Sequence, residues 1–283
     1  MPTFTTPDNT TLAYHATGDG PPLVCLPGGP MQASAYLGDL GGLTAHRTLI
    51  RLDLRGTGDS ATPENPASYR CDRQVDDVEA LREELGLDRL DVLAHSAGAN
   101  LAALYTARHP DRVARLALIT PSVYAVGITV TAEDRLSTAR LRQSEEWFAP
   151  AYTALESLTT GRPAPDAWQT VAPFWFAHWD EQAKAVRAAE EEQRNDEAAG
   201  VYGSDGAFTP DATCPALAAF AAPVLVLAGE MDVAGPHPAM AEYAGLFPKA
   251  DLVVQAGAAH FPWLDDAERF AAAMVSFLAG DSV

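Results

Sequence analysis

Short apolar runs alternate along the chain with longer stretches in which apolar residues recur at helical spacing. That alternation predicts an α/β fold: a mostly parallel central sheet with helices on both faces, because parallel strands need crossover helices that then cover the sheet. The first strands are expected around Phe4 and over Leu12 to His15, joined by the turn-forming Pro7-Asp8-Asn9. Further runs predict buried strands at Pro22 to Leu26, Thr48 to Asp53, Arg89 to Ala94, Arg115 to Thr120, Pro223 to Gly229 and Leu252 to Val254. Val75, Val78, Leu81 and Leu85 repeat at helical intervals over Asp72 to Leu85, and Gly86 supplies the stop. Ala97 to Arg108 reads as a second helix, ended by His109-Pro110, and Ala267 to Leu278 as the closing one.

After Pro121 the alternation breaks. Residues 122–212 show no clear strand pattern and are rich in alanine, glutamate and aromatics. The expected organisation is one α/β core, residues 1–121 and 213–283, interrupted by a helical insertion at 122–212. A chain of 283 residues suits a single large core with such an insertion.

Charge and cysteine content then narrow the function. With 19 Lys+Arg against 38 Asp+Glu, the formal charge of −19 disfavours nucleic acid or an anionic membrane surface as a partner. No apolar stretch reaches the ~18 residues of a membrane span. The first residues lack the basic-then-apolar layout of a signal peptide, so a cytoplasmic enzyme is expected. Cys25, Cys71 and Cys214 are odd in number and spaced unlike a zinc or disulfide framework, so no metal is expected.

The chemistry concentrates where strands meet loops. Leu90 to Asn100 joins a strand directly to a helix through Ala94-His95-Ser96-Ala97-Gly98. Small residues around one serine are what a nucleophile elbow requires, since strand and helix must approach closely while the serine takes a strained backbone. Alanine at 94 stands where the usual pattern has glycine, and it meets the same steric demand. Serine needs a base. His260 lies on the loop after the last strand, from which it can reach a serine at the carboxyl edge of the sheet. His95 is expected to point elsewhere. The orienting acid should follow a strand between the two, which selects Asp232, with Glu230 as nearest competitor and Asp251 behind it. Backbone N–H groups of Gly29 and Ala97 are the expected oxyanion donors. Asp265 and Glu268 form a candidate capping box for the closing helix.

Leu26-Pro27-Gly28-Gly29-Pro30, Asp53 to Ser60, His95-Ser96-Ala97-Gly98 and His260-Phe261-Pro262-Trp263 together resemble the α/β-hydrolase superfamily. Within it the chain is most similar to the proline iminopeptidase-like group, whose oxyanion loop reads H-G-G-P-G; here Pro27 and Met31 replace its first and last residues. The resemblance covers roughly residues 1–121 and 213–283. It implies cofactor-free serine hydrolysis and a helical cap over the site, matching the insertion. Serine at the elbow, not aspartate, separates the chain from haloalkane dehalogenases and epoxide hydrolases.

The insertion supplies candidates for substrate contact. Trp175, His178 and Trp179 would share a face if their segment were helical, either lining an apolar pocket or packing the insertion onto the core. Among Glu190, Glu191, Glu192, Asp196 and Glu197, the resemblance implies a carboxylate that binds a substrate ammonium, with Glu191 and Glu192 the candidates; a solvated helix face is the simpler reading. The expected substrate is a small molecule or short peptide, and the expected reaction is hydrolysis of a small ester or amide. An aminopeptidase, a carboxylesterase or lactonase, and a non-hydrolytic lyase, cyclase or acyl transferase all remain open. A ligand receptor fits an intact triad poorly. The sequence leaves the oligomeric state undetermined.

Overall fold

A computed structural model describes residues 1–161 and 163–280. Its eight strands are β1 (Thr3–Thr5), β2 (Thr11–Thr17), β3 (Pro22–Leu26), β4 (Thr48–Leu52), β5 (Leu90–His95), β6 (Val113–Ile119), β7 (Val224–Gly229) and β8 (Ala250–Gln255). They form one sheet in the order β1-β2-β4-β3-β5-β6-β7-β8. β1 and β2 pair antiparallel, as do β2 and β4, and every other pairing is parallel.

Side chains along each parallel strand divide alternately between the two faces, as the pleat demands. Val24, Leu26, Val92, Leu116, Leu118, Val224 and Val226 join one apolar layer; Leu23, Cys25, Leu93, Ala117, Ile119, Leu225 and Leu227 join the other. The first layer is covered by α1 (Val75–Glu84) and α2 (Gly98–Arg108). Between β6 and β7 the chain forms α3 (Ala132–Ala139), α4 (Phe148–Thr159), α5 (Ala167–Thr170), α6 (Glu181–Gln193), α7 (Asp196–Tyr202) and α8 (Pro210–Ala218). A small core of their own, around Ala154, Leu155, Val171 and Phe174, also takes in Val233 from the loop after β7. α8 crosses the expected boundary at residue 212 and contributes Leu217 to the first layer. After β7 come α9 (His237–Ala244), α10 (Pro262–Asp265) and α11 (Ala267–Ala279). Phe270, Met274 and Phe277 recur on one face of α11 and close the second layer, each burial stabilising by roughly 1.5–3 kcal/mol.

Three local details differ from the expectations. The helix expected over Asp72 to Leu85 begins at Val75, after a short turn at Cys71–Arg73. α9 had no sequence counterpart. The N-cap of α11 is Asp266, which accepts from Arg269 N at 3.0 Å, so Asp265 and Glu268 make no capping box. Among the described residues no helix is long and apolar enough to cross a membrane.

Candidate active site

β5 ends at His95 and α2 begins at Gly98, so the whole reversal falls on Ser96 and Ala97. Ser96 has φ +52°, a left-handed conformation rare for a residue with a side chain and sustained here by its surroundings. Its N–H donates to Ile119 O at 3.0 Å, and its carbonyl accepts from Ser122 N at 3.0 Å. A Cβ at Gly98 would lie 2.5 Å from the carbonyl oxygens of Leu26 and Pro27, so only glycine fits the second small position. Ala94, at the first, is fully buried.

The three residues expected from the sequence meet. His260 Nε2 lies 2.9 Å from Ser96 Oγ, and His260 Nδ1 lies 2.9 Å from Asp232 Oδ2. Asp232 is fully buried on the loop after β7, and its other oxygen accepts from Ala234 N at 2.8 Å. The competing carboxylates lie elsewhere: Glu230 is exposed and accepts from Gly257 N at 2.7 Å, and Asp251 is exposed on β8. Burial works against a charged His260 imidazole. The charge and hydrogen bond of Asp232, aided by Glu190 and Asp265, outweigh it and raise the pKa above the ordinary histidine value. In this arrangement His260 can take the serine proton while Asp232 holds the Nδ1–H tautomer.

The loop after β3 lies against the elbow. A Cβ on Gly28 would come within 2.8 Å of Ser96 Cβ and 3.3 Å of Ala97 N. Gly29 has φ +114°, and the Gly29-Pro30 peptide is cis. Neither Gly29 N nor Ala97 N has an acceptor among the described residues, and both residues line the cavity beside Ser96.

His95 does diverge from Ser96, as adjacent elbow residues must, yet it stays in the site. Its ring lies against His260, with centroids 4.9 Å apart, and its Nε2 lies 2.9 Å from the His260 carbonyl. The segment Trp175 to Ala177 docks onto the same loop: His260 N donates to Trp175 O at 3.1 Å. Asp265 accepts from both Ala177 N at 2.9 Å and Ala259 N at 2.7 Å, which explains why it caps no helix. From α3, Arg135 donates to Val233 O at 2.7 Å, next to Asp232 in sequence.

A cavity of about 1180 Å³ opens over Ser96 and His260. Of the expected substrate contacts, Trp175 and Glu191 line it. His178, Trp179 and Glu192 do not. The helical face proposed for Trp175, His178 and Trp179 does not exist, because the chain turns extended at Phe176, which stacks on Phe261. His178 is exposed, and Trp179 packs against Phe176. Glu192 is exposed on α6. Glu190, which lines the same cavity beside Glu191 and Asp196, is the mostly buried carboxylate of that cluster, and burial raises its pKa against the pull of Arg187 and His260. A signal for it was present: Arg187, Glu190, Glu191 and Arg194 lie three, four and seven apart, one face of α6 and its end. Arg187 approaches Glu190 at 3.7 Å and Glu191 at 3.2 Å.

One group of potential metal ligands, His15, Asp53 and Asp59, occurs among the described residues. Asp53 already accepts from His15 Nε2 at 2.9 Å, Ser34 N at 2.8 Å and Asp59 N at 3.0 Å, and these bonds brace the turns after β3 and β4.

Known proteins agree with this architecture. A proline iminopeptidase of Heyndrickxia coagulans is 24% identical over 272 residues, 94% of this chain and 93% of that protein. The crystal structure of proline iminopeptidase from Mycobacterium smegmatis superposes with a TM-score of 0.75 at 26% identity, covering 99% of this chain and 98% of the other. An enol-lactonase from Burkholderia xenovorans LB400 has the same fold, with a TM-score of 0.71 at 23% identity over 98% and 100% of the two chains. The alpha/beta hydrolase fold family model matches residues 21–267, and the chain belongs to that family.

Proposed function

We propose that the protein is a serine hydrolase that cleaves a small ester or amide through an acyl-enzyme on Ser96. The observation that carries this reading is the unbroken line of contacts from Ser96 through His260 to Asp232. His260 Nε2 takes the hydroxyl proton as Ser96 Oγ attacks the carbonyl carbon. Negative charge develops on the carbonyl oxygen, and the N–H groups of Gly29 and Ala97 receive it. His260 then returns the proton to the departing amine or alcohol, leaving an acyl-serine. A water molecule, deprotonated by the same imidazole, releases the acid and restores Ser96. Asp232 stabilises the imidazolium in both halves without taking its proton.

Residues 122–212 act in this scheme as a cap that forms much of the cavity wall and excludes water during reaction. The cavity volume, about 1180 Å³, is ample for an aryl ester or a dipeptide, since small-molecule sites usually span roughly 300–1,000 Å³. Glu190 supports a free-amine substrate, because a mostly buried carboxylate lining the cavity can meet an N-terminal ammonium. The full-length similarity to a proline iminopeptidase supports the same version. Arg187 supports the alternative, a carboxylesterase or lactonase, because it already neutralises charge at Glu190 and Glu191.

Matched rates on short acyl p-nitrophenyl esters and on free-amine aminoacyl p-nitroanilides, proline included, separate the two. Anilide turnover that vanishes on N-acylation establishes the aminopeptidase. Ester turnover alone establishes the esterase or lactonase, and turnover of neither class overturns the hydrolase reading.

A further inference from the structure

Behind Ser96, four hydrogen-bonding groups form a line that the triad does not use. Gly28 N donates to Tyr36 Oη at 2.7 Å. Tyr36 Oη lies 2.7 Å from His95 Nδ1, and His95 Nε2 lies 2.9 Å from the carbonyl oxygen of His260. The two ends fix the direction of every proton between them. An amide N–H only donates, so the tyrosine oxygen accepts at one side and its O–H donates to His95 Nδ1. A carbonyl only accepts, so the single imidazole proton sits on Nε2 and points at His260 O. Thr120 Oγ1 donates to the same carbonyl at 2.9 Å and occupies its other lone pair.

This direction requires a neutral His95. Burial and the neighbouring His260 both push its pKa well below the ordinary histidine value, so the ring stays neutral where His260 titrates. His95 is almost fully buried, and its ring is also held edge-on by Trp263, with centroids 4.8 Å apart.

The line joins two loops that reach the site from different strands. Gly28 belongs to the loop after β3 and precedes Gly29, the proposed oxyanion donor. His260 belongs to the loop after β8. Fixing Gly28 N–H orients the peptides of the oxyanion turn, and fixing the His260 carbonyl orients the backbone that carries the base. We propose that Tyr36 and His95 are positioning residues, forming a one-directional hydrogen-bond brace that locks the oxyanion loop to the base loop and raises turnover through both. The proposal rests on Ser96 as the nucleophile. A displacement of about 1 Å in a reacting group can cost ~100-fold in rate, and a lost oxyanion donor ~10²–10³-fold. A brace acting one residue away is expected to be worth roughly ten- to a hundredfold.

Tyr36→Phe is the cleanest perturbation, since it removes one hydroxyl and leaves Gly28 N–H and His95 Nδ1 without their partner. Steady-state kinetics on p-nitrophenyl acetate, with thermal melts alongside, should be run on wild type, Ser96→Ala, Tyr36→Phe, His95→Gln, His95→Phe and the Tyr36→Phe/His95→Gln double variant. The brace predicts a fall in kcat of roughly ten- to a hundredfold for Tyr36→Phe, with KM within about twofold and a melting temperature lowered by no more than about 5 °C, so that the variant stays folded under assay conditions. His95→Gln, which keeps a donor for the His260 carbonyl, should retain more activity than His95→Phe. The double variant should lose no more than the worse single one, because both interrupt one chain. If the His95 variants fail to fold, the kcat and KM of Tyr36→Phe decide the matter alone. Wild-type kcat in Tyr36→Phe, losses that multiply in the double variant, or losses confined to KM would overturn the brace. An inactive wild type, or an active Ser96→Ala, would instead overturn the nucleophile on which it rests.

Discussion

Asp265→Asn tests how the inserted segment is held over the base. One carboxylate oxygen accepts from Ala177 N at 2.9 Å and the other from Ala259 N at 2.7 Å, so this side chain ties the insertion to the residue before His260. Asparagine has the same shape but only one acceptor, and its amide would present N–H to N–H at the second site. Each charge-assisted bond contributes about 1.5–3 kcal/mol, and a neutral replacement about 0.5–1.5 kcal/mol. Losing one bond and weakening the other costs about 3–4 kcal/mol on that basis. Burial of the charge, which raises the Asp265 pKa, offsets part of this, leaving a net loss of about 1.5–3 kcal/mol. For a chain of 283 residues that lowers the melting temperature by roughly 3–6 °C. Thermal unfolding followed by circular dichroism measures it directly, and ester kinetics on the same samples should show kcat falling more than KM rises. A variant that melts within about 1 °C of wild type and turns over normally would refute the view that Asp265 docks the insertion onto the base loop.

The remaining predictions concern the proton relay and the cavity wall. Where chemistry limits the rate, kcat/KM should rise with pH, because the proposed base is neutral His260, and its midpoint should lie above the ordinary histidine pKa of about 6.5. A flat profile from about pH 5 to 8 would count against that role. Glu190→Gln removes one charge that favours the imidazolium, so the midpoint should move to lower pH; an unmoved midpoint would show that Glu190 and His260 are not coupled. The same variant should raise KM for free-amine anilides while sparing simple esters if the aminopeptidase version holds, and equal effects on both would remove Glu190 from amine recognition. Asp232→Asn should leave the fold intact and lower kcat by about 10⁴-fold, as in the serine protease for which this effect is established; a loss under about tenfold would contradict the assigned tautomer.

How much of this was legible depended on whether the signal was local. β3 and β5 to β7 are largely buried on both faces, so they read as apolar runs, and the elbow followed from the small residues around Ser96. His260 and Asp232 were found from chain order alone, because the loops that follow parallel strands gather at one edge of the sheet. α9 escaped notice because prolines at 236 and 238 flank its start and mask a short buried stripe of Ala239, Met240 and Tyr243. The insertion was the hardest to read. Trp175 to Trp179 carries a helical spacing of large residues, yet Phe176 finds Phe261 across the chain, and that tertiary contact overrides local propensity. The i to i+7 face of α6 did carry the signal for Glu190, but charge density alone marked its exposed neighbours equally well.

Asp265, Tyr36 and His95 were beyond reach for a different reason. Each gains its meaning from partners far away in sequence: Ala177 for Asp265, Gly28 and His95 for Tyr36, and His260 for His95. Asp265 even imitates a capping residue, since Glu268 follows three places later, while its neighbour Asp266 takes that place. A sequence pattern shows which residue types are available, and only packing decides which acceptor each donor meets.

The central claim is an acyl group carried by Ser96. Intact-mass spectrometry after brief mixing with a slowly deacylated p-nitrophenyl ester, followed by peptide mapping, tests it without assuming the natural substrate. The account predicts a stoichiometric gain of one acyl group on the peptide containing Ser96, absent in Ser96→Ala. Turnover of the ester with an unmodified Ser96, or an acyl group mapped to another residue, would contradict it.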